Sequence, residues 1–233
     1  MTHVKKRMIP YCLILLSMLL AVQWGSQAVT VFVETAPIAK KASIVIDPGH
    51  GGVDGGAISC TGIPESRFNL EISLTLKDIF HFLGYQTKVI RTEDISVYRE
   101  GDTIARKKIS DLKERVRMVE ETENAVLLSI HQNNFPDGRY SGAQVFYAAA
   151  EGSQALAAAL QQKFVCHLNP GSNRKEKKAS GVYLMEHVSC PAILIECGFL
   201  SNAQEEAKLQ SKAYQQKLSC VIAATVAEYL SNT

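Results

Sequence analysis

Segments typical of buried β-strands alternate with segments typical of amphipathic helices along most of this chain, and this alternation limits its fold more than any other feature. Short apolar runs predict six strands, at 44–47, 86–91, 125–131, 143–147, 182–185 and 192–197. Helical periodicity predicts helices at 65–83, around 112–119, at 154–168 and around 218–229. Gly84 follows the first helix as a stop signal.

Strands that alternate with helices favour a mostly parallel sheet covered on both faces. The continuous apolar runs at 125–130 and 192–195 fit strands buried on both sides. We therefore predict a single α/β domain with a central, mostly parallel or mixed six-stranded sheet flanked by helices. Ligands bind beyond the carboxyl ends of the strands in such sheets.

The N-terminal segment has the pattern of an export signal. Three basic residues at 5–7 precede an apolar run at 8–22, and the small residues Ser26 and Ala28 suit a cleavage site. We predict a signal peptide or membrane anchor at 1–28, a linker at 29–42 and a catalytic domain at 43–233. The protein is then expected to be exported across the cytoplasmic membrane and to act outside it, either free or anchored.

Charge and cysteine content exclude some classes of protein. The net charge of +2 over 233 residues lacks the basic excess of most nucleic-acid-binding proteins, so we expect no nucleic-acid partner. Five of the six cysteines lie beyond the apolar N-terminal run, an odd number without a CxxC pair. Neither a disulfide framework nor a cysteine zinc cluster is predicted.

Three of the predicted strands lead into polar side chains with catalytic or ligating capacity. The first leads to His50, the third to His131 and the last to Glu196. Parallel neighbouring strands would bring these side chains to one edge of the sheet. Two imidazoles and a carboxylate at one edge indicate a metal site or an acid–base site.

A fourth candidate, Glu65, stands at the start of the first helix. Two histidines and a glutamate with an open position form a known catalytic zinc arrangement, which would leave Glu196 as the general base and acid. Simpler interpretations stay open, because His50 alone could be an ordinary polar residue. Asp47 is expected to hold the turn at Pro48 through its side chain. The glycines after His50 do not complete a phosphate-binding motif, and no HExxH is present.

The candidate residues belong to four motifs that follow one another along the chain: IVIDPGHGG, PESRFNL, LLSIHQN and PAILIECGFLSN. In order and spacing they resemble the zinc-dependent N-acetylmuramoyl-L-alanine amidases of bacterial cell walls. The resemblance covers roughly residues 43–230. It implies an α/β domain with one Zn²⁺ and a peptidoglycan substrate, whose amide between N-acetylmuramic acid and L-alanine is hydrolysed.

The resemblance also assigns roles to individual residues. It makes His50, Glu65 and His131 the zinc ligands and Glu196 the catalytic acid–base. Glu71, inside the helix, is the alternative to Glu65 as a zinc ligand, and we interpret it as a charge on the helix surface. Asn133 is a tentative substrate-binding residue. Three further expectations are that Cys197 is a buried small side chain and that Arg91 and Arg115 form structural ion pairs.

The motif SGAQVFY and the single-domain plan resemble most the germination-specific amidases of spore-forming bacteria. That likeness implies a role in forming muramic-lactam in the spore cortex, in sequence with a muramic acid deacetylase, and leaves open an accessory lipoprotein or other activator. Its expected location is the forespore intermembrane space or the cell wall. The competing functions are a non-catalytic peptidoglycan-binding module, a metal-dependent peptidoglycan deacetylase and a cysteine hydrolase that uses Cys197 with His131.

Overall fold

The computed structural model describes residues 42–232. The predicted signal peptide or anchor at 1–28 and the linker up to residue 41 lie outside the described residues. Among the helices in the described range, none is both long and apolar enough to cross a membrane.

The described residues form an α/β domain around a six-stranded mixed sheet, as predicted. Its strands are β1 (Ser43–Pro48), β2 (Gln86–Val89), β3 (Ala125–Asn133), β4 (Gln144–Tyr147), β5 (Lys177–Lys178) and β6 (Ala192–Phe199). Its helices are α1 (Glu65–Phe82), α2 (Ile104–Glu120), α3 (Ser153–His167), α4 (Tyr183–His187), α5 (Ala203–Gln210) and α6 (Lys212–Ser231).

The strand order in the sheet is β2-β1-β3-β6-β4-β5. The four strands from β2 to β6 in this order are parallel, and β4 runs antiparallel to β6. Apolar side chains of α1, α3 and α6 pack on one face of the sheet, and those of α2 and α4 pack on the other. Burial on both faces explains why the central strands read as continuous apolar runs.

One predicted strand is wrong. Residues 182–185 do not form a strand; they enter the short helix α4, where the adjacent side chains of Leu184 and Met185 are both buried against the α2 side of the sheet. A run of four apolar residues carries too little periodicity to separate a strand from one helical turn. The sixth strand is instead β5, whose two exposed lysines give no apolar signal.

The order of the strands decides where the candidate site forms. Strands β1, β3 and β6 lie side by side and parallel at the centre of the sheet, so their carboxyl ends meet at one edge. His131 and Glu196 are register partners on β3 and β6. The residues that follow β1 reach the same edge, because the backbone N–H of Gly49 donates to the carbonyl of Ile130 at 2.9 Å.

Candidate active site

A tight backbone reversal after β1 presents the first histidine. His50 has a φ of 60° and Gly51 a φ of 134°, and the reversal closes through two hydrogen bonds between the backbones of Gly51 and Asp54 at 2.7 and 3.2 Å. A positive φ is uncommon outside glycine. Such conformations concentrate at functional sites, where the surrounding structure holds them.

Three of the predicted site residues meet at this edge. Oε2 of Glu65 lies 3.3 Å from Nε2 of His50, and Oε1 of Glu65 lies 2.9 Å from Nδ1 of His131. The ligand atoms of the three residues all fall within 4.8 Å of one another. Sequence reasoning therefore selected three side chains that the fold does bring together.

Glu65 owes its position to the start of α1. It is the first helical residue, where the helix dipole favours a carboxylate, and it is buried. Its oxygens accept hydrogen bonds from the backbone N–H groups of Ala57 and Gln132, both at 3.1 Å, and from the side chain of Asn69 at 3.2 Å. These donors fix the carboxylate between the two imidazoles.

The electrostatics of this cluster favour an ionised Glu65. Burial by itself would raise the pKa of Glu65, but the contacts with His131 and His50 outweigh it and hold that pKa far below its usual range. Burial would likewise lower the pKa of His50, and the carboxylates of Glu65 and Asp54 raise it instead. An ionised carboxylate between two imidazoles is a donor set suited to a divalent transition metal.

Sequence reasoning missed the residue that orients His50. Oδ2 of Asp54 lies 3.0 Å from Nδ1 of His50, which leaves Nε2 directed towards Glu65. A carboxylate on the far nitrogen of a histidine ligand sets its tautomer and ring orientation. The only signal in the sequence was an aspartate four residues after His50, and that spacing becomes meaningful only once the chain reverses.

Two buried arginines hold the backbone of this reversal. Arg115 donates to the carbonyl oxygens of Pro48 and His50 at 3.0 and 2.8 Å, and Arg91 donates to those of Pro48 and Gly49, each at 3.0 Å. The prediction of an ion pair is confirmed for Arg115, which pairs with Asp47. It is wrong for Arg91, whose hydrogen bonds within the described residues go to backbone carbonyls.

Asp47 does not stabilise the Asp-Pro-Gly turn, so that expectation is wrong. Its buried carboxylate pairs with Arg115 and accepts a hydrogen bond from Ser129 at 2.7 Å. Burial would raise the pKa of Asp47, but Arg115 and Ser129 outweigh it and hold the pKa below its usual range. Asp47 thus supports the site indirectly, because it binds Arg115, which donates to the backbone carbonyls of the reversal.

Glu196 lies beside this cluster without joining it. It faces a cavity of about 250 Å³ that it lines together with His50 and His131. Its Oε2 atom is buried and has no hydrogen-bond partner within the described residues. Burial raises the pKa of Glu196 to about 7. A carboxyl group with a pKa near neutrality can both take up and release a proton.

The remaining candidates lie apart from the cluster. Glu71 is half-buried and pairs with Arg67 on α1 and with Lys212 on α6 instead of joining the cluster, which supports the choice of Glu65 over Glu71. Cys197 is buried as expected, and burial raises the pKa of its thiol. Asn133 is half-buried at the end of β3 and does not line the cavity, so its role in substrate binding stays a prediction.

The sequence profile of the family described as N-acetylmuramoyl-L-alanine amidase matches residues 44–228, which include every residue of the cluster and Glu196. The chain belongs to this family. The resemblance inferred from the four motifs is thereby confirmed.

Individual amidases extend the comparison. The chain is 34% identical over 189 residues to the germination-specific N-acetylmuramoyl-L-alanine amidase of Bacillus subtilis, covering 81% of this chain and 79% of that protein. It matches the structure of the CwlD amidase from Clostridioides difficile, solved in complex with the GerS lipoprotein, with a TM-score of 0.79 and 32% identity over 83% of this chain and 100% of that one. The catalytic domain of the amidase CwlV from Bacillus (Paenibacillus) polymyxa matches with a TM-score of 0.69 and 28% identity, over 82% and 99%.

Proposed function

We propose that this protein is a zinc-dependent N-acetylmuramoyl-L-alanine amidase that hydrolyses the amide between N-acetylmuramic acid and the L-alanine of the stem peptide. The observation that carries the proposal is that the two histidines of the His-Glu-His cluster line the same cavity as Glu196, whose buried Oε2 has no hydrogen-bond partner within the described residues. Membership of the amidase family supports the reaction type.

The donor chemistry of the cluster fits zinc. Two imidazole nitrogens and one carboxylate suit Zn²⁺, and three protein ligands leave one position open, as in catalytic zinc sites. Asp54 supplies the outer hydrogen bond expected for a histidine ligand. His50, Glu65 and His131 would hold the ion. When bound there, Zn²⁺ would lower the pKa of a water molecule and polarise the substrate carbonyl.

The chain's own contribution to the reaction centres on Glu196. Its carboxylate would take the proton from the attacking water and then deliver that proton to the leaving nitrogen of alanine. Its buried, unpartnered oxygen leaves it able to bind a water or an amide N–H without first breaking a hydrogen bond. His50 and His131 are held in place by Asp54 and Glu65, so little reorganisation is needed.

The cellular setting forms part of the proposal. Likeness to the germination-specific amidase supports action on spore cortex peptidoglycan, where removal of the stem peptide would precede a muramic acid deacetylase. The CwlD relative was solved with a lipoprotein, which supports an accessory lipoprotein as a partner of this chain. The N-terminal signal pattern and the proposed peptidoglycan substrate support export across the cytoplasmic membrane.

The observations support three other functions less well. A non-catalytic binding module would not need a proton-transfer group in the cavity. A cysteine hydrolase would need a reactive thiolate, whereas burial raises the pKa of Cys197. A metal-dependent deacetylase could use the same donor set, but the family membership favours the amide of the stem peptide.

Product analysis tests the proposal. The purified protein is incubated with cortex or cell-wall peptidoglycan, with added zinc in one arm and a chelator in the other. We expect zinc-dependent release of peptides that begin with a free alanine amino group. Acetate release without free peptide would identify a deacetylase. Peptide release that persists in chelator would overturn the metal mechanism.

A further inference from the structure

A second cavity adjoins the one that contains Glu196. It has a volume of about 120 Å³, and it shares Asp54, Lys108 and Asp111 with the catalytic cavity. The shared residues lie between the two cavities, and one of them, Asp54, contacts Nδ1 of His50. A substrate that extends from the reacting amide towards α2 would therefore pass Lys108.

Lys108 differs from the other cation that lines the catalytic cavity. Arg115 is buried, and its guanidinium is engaged by Asp47, Asp111 and two backbone carbonyls. The side chain of Lys108 is 54% exposed, and its Nζ lies 3.3 Å from Oδ2 of Asp54. An ammonium carries three N–H donors, so one carboxylate leaves donors available for a second anion.

Two lysines, two aspartates and apolar side chains line the second cavity, and the aspartates, Asp54 and Asp111, already pair with His50 and Arg115. Nζ of Lys107 lies 5.1 Å from the centre of the Tyr98 ring, and both residues line this cavity. Val53 and Ile104, which are strongly exposed, form its apolar part. A neutral sugar accepts hydrogen bonds from ammonium groups but carries no charge to pair with them, whereas a short peptide offers both carboxylates and methyl groups.

We infer that this cavity is a subsite for the peptide part of the substrate and that Lys108 binds a carboxylate near the amino end of that peptide. The inference rests on the proposed amidase function. It adds the direction in which the substrate binds, because the leaving peptide would lie along the N-terminal half of α2. Lys108 is then a specificity-determining residue that selects acidic stem peptides over amidated ones.

The competing interpretation is that Lys108 acts only by neutralising Asp54, and so through His50. The two roles differ in their dependence on substrate charge. A residue that acts through Asp54 alters the rate for every substrate equally. A residue that binds the peptide carboxylate alters only the discrimination between a peptide acid and the matching amide.

The test measures binding and turnover together. The zinc-loaded protein is titrated by calorimetry with two C-terminally blocked dipeptides, Ala-Glu amide and Ala-Gln amide, which differ only in the side-chain carboxylate. Peptide release is then measured from peptidoglycan with acidic or amidated stems. Both are repeated with Lys108→Met, with Lys108→Arg as the charge-retaining variant, and with Lys113→Met as an exposed control on the same helix.

The wild type should prefer the acid by about fivefold in Kd, as expected of a half-exposed ion pair, and the same preference should appear in KM. Lys108→Met should abolish the preference in both Kd and KM, whatever its effect on kcat, while Lys108→Arg and Lys113→Met keep the preference. A preference that survives Lys108→Met, or equal binding of both dipeptides by the wild type, would overturn the inference while peptide release continues. Failure of the proposed function would differ, since no peptidoglycan would then release peptide.

Discussion

Gly49 leaves no room for a side chain beside His131. A Cβ atom on residue 49 would lie 2.2 Å from Nε2 of His131, a distance that no real contact allows. The ring of His131 therefore occupies space that only glycine leaves free. Because Nδ1 of the same ring faces Glu65, displacement of the ring would separate two of the three proposed ligands.

Gly49→Ala is predicted to weaken zinc binding by at least about tenfold, the lower end of what disturbed supporting residues cost a metal site. Chelator-competition titration measures the affinity. Gly55→Ala is the matched control, because a Cβ there would meet nothing closer than 3.4 Å and should leave the affinity unchanged. Equal affinities for both variants would show that His131 does not depend on the space above Gly49.

At the residue scale, the sequence predicted the side chains that meet at the candidate site but not the residues that support them. His50, His131 and Glu196 were recognisable because each interrupts or follows an apolar strand, where a polar residue is conspicuous. Asp54 and Asn69 gave no such signal. Their hydrogen bonds to His50 and Glu65 depend on the chain reversal and on the packing of α1, which no local pattern encodes.

At the scale of elements, α2 is joined to the end of β1 by a buried ion pair. Arg115 on α2 binds Asp47 on β1 and the two carbonyls beyond it, while Asp111 on the same helix completes its partners. Both members of the central pair are almost fully buried. Removal of one member would leave an uncompensated charge in the protein interior.

Arg115→Met is predicted to lower the free energy of unfolding by about 3–5 kcal/mol, the usual cost of breaking a buried ion pair from one side. Urea denaturation measures it. Arg106→Met, on the same helix, removes a pair whose members are each 70% exposed and should change the free energy by less than about 1 kcal/mol. Similar losses of unfolding free energy in the two variants would indicate that the buried pair stabilises the protein no more than the exposed pair does.

The prediction of helices and strands succeeded where the periodic segment was long and failed where it was short. The helices α1, α2, α3 and α6 span 15 to 20 residues, and each showed a repeating apolar face or an alanine- and leucine-rich pattern. The eight-residue helix α5 was not predicted, because its few apolar residues leave no clear stripe. The two-residue strand β5 is defined only by its pairing with β4.

For the whole molecule, stability within the described residues does not depend on disulfides. All five cysteines of residues 42–232 are free, and three of them, Cys60, Cys166 and Cys220, are exposed while Cys197 is buried. The core on both faces of the sheet supplies the packing instead. The described residues therefore contain no disulfide scaffold.

Thiol labelling of the native protein should therefore modify the three exposed cysteines quickly and spare Cys197 until the protein is unfolded. Peptide release should persist after native labelling, because the proposed mechanism uses no thiol. Mass spectrometry of the labelled peptides identifies the sites. Loss of activity in proportion to modification of Cys197 would instead support the cysteine hydrolase.

At the same scale, the strand order turns separate motifs into one site. The sequence indicated an α/β sheet with ligands at its carboxyl edge, but it did not order the strands. Only the adjacency of β1, β3 and β6 places His50, His131 and Glu196 together. The position of β4 between β6 and β5 and its antiparallel pairing with β6 had no counterpart in the sequence pattern.

The most direct test of the mechanism separates proton transfer from metal binding. Glu196→Gln keeps the size of the side chain but removes its ability to take up a proton. We predict that this variant binds one zinc ion per chain, as the wild type does, and releases peptide about 10²–10⁴-fold more slowly. Near-normal release with zinc bound would contradict the role of Glu196, and loss of zinc along with activity would place Glu196 among the ligands instead.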